Sequence, residues 1–242
     1  MPNHVTNVLR FDGDPGRVQS LLLELQNEEE GLGSLDFNKI IPMPKALAIE
    51  SGSRTDIGLK AYRDFVEIYT LGREVPRQEL LQIPEQNENA FLRHRPDIDR
   101  RTWDLGRQAF RNKLLFGVPT WYEWCVQNWG TKWNAYDCSP GDGSIEFHTA
   151  WSAPHPVIQK LSELYPELGI THLWADEDIG QNCSQREYQG GELTDEYYPM
   201  DGREACEFAA DILGADLEDY GLVLNEDGTD YIYEEELGGM QL

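Results

Sequence analysis

The sequence predicts an α+β fold, a mixed sheet carrying helices on one face. Three observations predict it. Short segments of alternating apolar residues take turns with segments spaced for a helix. The chain of 242 residues is 40% hydrophobic and 11% aromatic, enough to pack a core. Residues 45–118 carry helical spacing only, with no strand pattern, and they begin and end near prolines.

His4 to Phe11 reads as a strand, with Val5, Asn7, Leu9 and Phe11 alternating. Asp14 and Pro15 then suit the N-cap and first position of a helix bearing Val18, Leu21, Leu22 and Leu25. Ser34 to Ile41 reads as a second strand ended by Pro42 and Pro44, so this stretch is a β-α-β unit whose helix can cross over to a parallel strand. Within the insertion, Gly58–Tyr69 and Arg101–Phe116 read as helices, with shorter segments at 76–83 and 88–93.

Pro119–Gly130 reads as a short helix and Lys132–Cys138 as a strand. Pro140-Gly141-Asp142-Gly143 is a hairpin turn into the returning strand Ser144–Trp151. A helix at Pro154–Leu164, strands at Ile170–Ala175 and Gln181–Gln189, and a helix at Arg203–Leu213 follow. Leu222–Leu224 and Tyr231–Tyr233 flank a closing hairpin. The order contains a β-α-β-β-α-β core of ferredoxin-like topology. It assigns 1–190 to that domain, with the insertion at about 45–118, and 191–242 to an acidic α/hairpin subdomain packed on it.

Charge is unevenly placed. The chain holds 20 Lys+Arg and 44 Asp+Glu, net −24. Residues 161–242 hold only two basic residues, Arg186 and Arg203, against 22 acidic ones. Residues 93–113 lean the other way, at +4, through Arg93, Arg95, Arg100, Arg101, Arg107, Arg111 and Lys113. The expectation is a dipole with a basic helical flank and an acidic carboxy-terminal face. Such a chain is no general nucleic-acid binder, since phosphate affinity comes from clustered cations. No apolar run reaches about 18 residues, so no membrane span is predicted. The polar opening Met1–Asn7 lacks the apolar stretch of a signal peptide, which leads to an expected cytoplasmic location.

Cys125, Cys138, Cys183 and Cys206 form no CxxC and are expected to be reduced, mostly buried thiols. His148 and His172 fall on expected strands that could bring them together. No metal site and no cofactor is expected.

Met1–Asn7, Asp36-Phe37-Asn38-Lys39-Ile40-Ile41-Pro42-Met43-Pro44 and Trp121–Ala135, which reads WYEWCVQNWGTKWNA, resemble the YubB-like family of phage and plasmid proteins with a ferredoxin-like domain, over roughly residues 1–190. The resemblance implies that fold and a mobile-element origin. It implies no reaction.

Trp121, Trp124, Trp129 and Trp133 could form a base-stacking platform. Aromatics at helical spacing more often anchor a helix, so at least one of Trp124 and Trp133 is expected in the core. Asn225–Glu236 partly matches a calcium loop, but Asp230 replaces its glycine, and a hairpin is the better reading. No GxSxG, P-loop or GxGxxG occurs, and no catalytic residue is assigned.

The function expected is that of a mobile-element accessory interaction protein, acting in counter-defence. Its acidic face would occupy the basic nucleic-acid-binding surface of a host or rival protein. The contacting carboxylates are Asp176, Glu177, Asp178, Glu187, Asp195 and Glu196. Neither direct nucleic-acid contact nor membrane contact is expected. The alternative is a small carboxylate- or metal-dependent hydrolase working near Asp176 or Asp227.

Overall fold

The structure, a computed structural model, describes residues 3–31 and 33–234. Met1, Pro2 and Glu236, which entered the motif and calcium-loop readings, lie outside them. The chain divides into two compact units, one of residues 1–42 and 126–242, the other of residues 43–125.

The chain opens with strand β1 (His4–Asp12) and helix α1 (Pro15–Leu25), whose N-cap Asp14 accepts a hydrogen bond from Arg17 N. Helices α2 (Ser53–Thr70), α3 (Arg77–Leu80), α4 (Glu85–Leu92), α5 (Arg100–Phe116) and α6 (Trp121–Asn128) follow. Then come β2 (Tyr136–Gly141), β3 (Ser144–Ala150), α7 (His155–Leu164), β4 (Gly169–Asp176), β5 (Ser184–Gln189) and β6 (Glu192–Tyr197). Helix α8 (Gly202–Leu213) and the small hairpin β7 (Leu222–Leu224) and β8 (Tyr231–Tyr233) complete the described chain.

The first unit holds a six-stranded sheet in the order β2-β3-β1-β4-β5-β6. Its first four strands, with α1 and α7, make the ferredoxin-like β-α-β-β-α-β core, extended at one side by β5 and β6. Every pairing is antiparallel, so the sheet is not mixed. The strand that completes the first β-α-β is β2, reached only after the insertion and separated from β1 by β3.

The expected strand at Ser34–Ile41 is absent. Asp36 accepts from Asn38 N at 2.9 Å and from Asn134 Nδ2 at 2.7 Å, and Phe37 N donates to Asn134 Oδ1 at 2.8 Å. These side-chain bonds satisfy backbone groups locally, and Phe37–Lys39 closes into one 3-10 turn. Trp129 Nε1 donates to Ile41 O at 2.9 Å, and its ring meets Phe37 edge-on. The two motif segments are therefore stitched to each other in the core. Trp124 and Trp129 are 8% and 3% exposed, as core anchors rather than a stacking platform.

Helices lie on both faces of the sheet. Successive strand residues point to opposite sides. On β4, His172 and Trp174 meet His155 of α7, while the intervening Ala175 packs with Cys183 and with Ala205 and Ala209 of α8. The same rule separates the two histidines named from sequence. His148 pairs with Thr6 and His172 with Leu9, so they point to opposite faces.

In the second unit α2 and α5 touch at Gly58 and Gly106. A Cβ on Gly58 would stand 2.0 Å from Thr102 O, and one on Gly106 would stand 2.0 Å from Gly58 C. Around this contact Tyr62, Phe65, Ile83, Ile98 and Trp103 form a core. Glu88 is buried within it and accepts from Tyr62 Oη at 3.1 Å, Trp103 Nε1 at 3.0 Å and Arg107 Nη1 at 3.2 Å. Burial and that carboxylate both push the Tyr62 hydroxyl up. The basic flank expected at 93–113 is largely neutralised within this unit. Arg95 pairs with Asp64 and Asp97, Arg100 with Glu85 and Asp104, Arg101 with Glu50, and Arg107 with Glu88 and Asp104.

Candidate functional site

The acidic third is built from β5, β6, α8 and the turns joining them. β6 is an edge strand in which Glu192, Asp195 and Glu196 are exposed. It forms without an apolar face because β5 offers it a free backbone edge. Glu187 stands opposite Asp195, and Arg186 opposite Glu196, in consecutive register positions. The Glu187–Asp195 pair and Glu196 therefore point to opposite faces of the sheet. Glu177 and Asp178 are exposed in the turn after β4.

Asp176 differs from its neighbours. It is 5% exposed and accepts from Asn3 Nδ2 at 3.1 Å, Asp178 N at 3.0 Å and Asn182 Nδ2 at 3.5 Å. All of these donors belong to the chain itself. Asp176 is an internal anchor, and its sequence neighbours Glu177 and Asp178 face solvent.

Few cations oppose this surface. Arg186 lies 3.5 Å from Glu196, and Arg203 lies 2.8 Å from Glu207 and also donates to Gly228 O at 2.7 Å. Both arginines of the acidic third are thus engaged. Glu177, Asp178, Glu187, Glu192 and Asp195 have no ion pair among the described residues. Glu204 is held inside the surface, accepting from Tyr197 Oη and Met200 N at 2.6 Å each. Those bonds lower its carboxyl pKa and push the Tyr197 hydroxyl up to about 12.

Beneath β4 lies a buried polar chain. His172 is fully buried, and its Nε2 faces Asn7 Oδ1 at 3.0 Å. Asn7 Nδ2 donates to Val5 O and Thr149 Oγ1, so Asn7 Oδ1 is the acceptor and His172 carries its proton on Nε2. His155 stacks edge-on to Trp174 with centroids 4.5 Å apart, while Arg186 sits 5.7 Å from the Trp174 ring. Burial and Arg186 push His155 down to about 4, and burial, with His155 and Arg186 nearby, pushes His172 well below its usual value. Both imidazoles are neutral near pH 7. The group packs α7 on the sheet and is closed to solvent at the Nδ1 atoms of both rings.

A second surface feature lies where β1 begins and β3 ends. Lys132 Nζ lies 4.5 Å from the Trp133 ring centroid and 4.6 Å from that of Trp151. Trp133 continues to Tyr136, whose ring meets His4 and His148, and Tyr136 Oη is hydrogen-bonded to His4 Nδ1 at 2.7 Å. Burial, with Asp137 and Glu177 adding to it, pushes the Tyr136 hydroxyl up to about 12. Only Trp133 of this row belonged to the tryptophan series noted from sequence. Lys132 was visible as a solitary cation between Lys113 and Lys160, but nothing in the spacing tied it to Trp151.

Among the described residues no group of three His, Cys, Asp or Glu is placed to hold a metal ion. Cys125, Cys183 and Cys206 are buried free thiols, and Cys138 is half-buried. No described helix is long and apolar enough to cross a membrane.

Residues 128–216, which run from the end of α6 through α8, match the family model described as the ferredoxin-like domain in Api92-like protein. Among solved structures, the crystal structure of protein api92 from Yersinia pseudotuberculosis is similar at 11% identity, over 83% of this chain and 99% of that one, with a TM-score of 0.41. No curated protein matches the chain.

Proposed function

We propose that this chain is an accessory interaction protein whose acidic surface occupies the basic, nucleic-acid-binding surface of a protein partner. One observation carries the reading. Both arginines of the acidic third are already held by glutamates, so Glu177, Asp178, Glu187, Glu192 and Asp195 present charge that the chain itself does not neutralise. Uncompensated charge of one sign speeds encounter with an oppositely charged partner and adds little to folding stability. A phosphate backbone is repelled by the same field, so the partner is a protein and not nucleic acid.

The likeness to YubB-like phage and plasmid proteins, in the segments Asp36–Pro44 and Trp121–Ala135, supports a mobile-element origin. Within that reading the partner is a host or rival DNA- or RNA-binding protein of the cytoplasm, and blocking it serves counter-defence. Asp176 leaves the contacting set because its carboxylate is used inside the fold, and Glu196 contributes only in part because Arg186 shares it.

The test is affinity capture on the immobilised chain from a host lysate, eluted first by rising salt and then, in parallel, by duplex DNA. The reading expects basic nucleic-acid-binding proteins that leave as salt rises and that DNA competes away. Captured proteins that survive high salt and ignore DNA would overturn it.

A further inference from the structure

We infer, on the acidic-surface reading, that the open edge of β6 takes an added β-strand: an extended basic segment of the protein partner, held by backbone hydrogen bonds.

The two edges of the six-stranded sheet differ. At one edge, β2 contains Pro140, which has no N–H to donate, and its register slips between Tyr136 and Ser139. Asp137 there adopts φ 50, and a Cβ on Gly33 would stand 2.9 Å from Pro140 Cδ. That edge is broken and crowded. At the other edge, β6 pairs with β5, and no described strand pairs with its outer side. In an antiparallel pair, every second residue turns its N–H and C=O away from the partner strand. β6 therefore offers donors and acceptors that a further strand can take.

The edge is held ready at both ends. Gly190 and Gly191, at φ 59 and 86, close a two-residue turn from β5 into β6. Gly191 N donates to Ser162 Oγ and Gln159 Nε2 donates to Gly191 O, both at 3.1 Å, which ties the turn to α7. At the far end Tyr197 O accepts from Ser184 Oγ, and Tyr197 Oη donates to Glu204 at 2.6 Å. Between these ties Glu192–Glu196 are exposed. Thr194 has no partner in the register, so the straight template is Asp195–Tyr197. A template ordered beforehand spares the partner that part of the ordering cost.

Charge selects the occupant. A second copy of the chain would bring carboxylates of β6 against their equals, and like charges across a strand pair repel. Glu187 and Asp195 share one face and have no ion pair among the described residues. Lys or Arg on that face of an added strand meets both. On the opposite face Glu196 is already shared by Arg186. The fitting strand is thus basic at alternate positions and neutral between them.

The test is NMR titration of the full chain with a capped octapeptide of alternating lysine and threonine. It is compared with the same peptide N-methylated at every lysine or at every threonine, and with a glutamate–threonine peptide. The three basic peptides carry equal charge, but methylation removes the N–H groups of one edge. The parent peptide should bind saturably and slow amide exchange in β6 by about tenfold or more. One of the two methylated peptides should bind about tenfold more weakly, and the glutamate peptide should not bind. Equal binding of all three basic peptides, or binding without slowed exchange in β6, overturns strand addition and leaves the acidic-surface reading standing. Failure of every basic peptide to bind also overturns it, and the acidic-surface reading then stands or falls by the capture experiment alone. A dimer of the free chain with slowly exchanging β6 amides would give the edge to a second copy and overturn the assignment.

Discussion

Asp176 Oδ1 accepts a hydrogen bond from Asn3 Nδ2 at 3.1 Å, joining the end of β4 to the residue that precedes β1. Asn3 and Asn182, both held by this carboxylate, also hold the backbone of Trp151. Asp176→Ala removes a buried acceptor with three donors and should cost about 2–3 kcal/mol. Glu177→Gln and Asp178→Asn, at exposed positions, should change stability by no more than about 0.5 kcal/mol. Denaturant midpoints separate the two classes, and equal effects at all three positions would refute the anchor role.

The Gly58–Gly106 contact leaves no room for a methyl group on either side. Gly106→Ala must push α2 and α5 apart, at a cost of about 3 kcal/mol. Because the chain divides into two compact units, loss should appear first in the unit of residues 43–125. Hydrogen exchange would show it as faster exchange across α2 and α5. Unchanged protection there would contradict the close-packing account.

Much of the fold was legible because its elements are written locally. β1, α1, the β2–β3 hairpin, α7 and β4 each carry their own periodicity and turn residues, and they form the ferredoxin-like core. Two errors have physical causes. The segment Ser34–Ile41 has strand-like alternation, but Asn134, nearly a hundred residues away, bonds Asp36 and Phe37 and bends it into a turn. β6 was missed because only Leu193 and the tyrosine at its end break a run of polar residues, so pairing with β5 makes it a strand rather than burial.

The site was legible as net charge and not as position. Six carboxylates were named together, yet they include the buried Asp176 and the arginine-bound Glu196. Two of the donors that set Asp176 apart from Glu177, Asp178 N and Asn182 Nδ2, are local, but the third, Asn3, lies 173 positions earlier. The Lys132–Trp151 contact likewise closes across β2 and β3.

His155 supplies a pH dependence of known sign. Its folded pKa, about 4, lies below the ordinary 6.5, so the unfolded state binds the proton more readily. The stabilisation is fully present above about pH 6.5 and is lost as pH falls toward 4, to a total of about 3 kcal/mol. His155→Gln should remove that slope. Stability measured by denaturant from pH 7.5 to 4.5 should fall less steeply in the variant than in wild type. Parallel curves would show that the imidazole does not carry the dependence.

Strain at Trp151 has its own signature. Trp151→Gly and Trp151→Ala both delete the indole, but only alanine keeps a Cβ at φ 74. The glycine variant should be the more stable by about 1 kcal/mol. An alanine variant as stable as the glycine variant would remove the strain from the account.

On the proposed reading, uncompensated carboxylates of β5, β6 and the turn after β4 steer a basic protein onto this surface. This steering is tested most directly by association rate against ionic strength, using the partner recovered by DNA-competed capture. Wild type is compared with a variant carrying Glu177→Gln, Asp178→Asn, Glu187→Gln and Asp195→Asn. The wild-type rate should fall by about tenfold or more as salt rises, and the variant should start slow and converge with it at high salt. A variant that keeps the full rate, with wild-type association flat across the salt range, would contradict the claim.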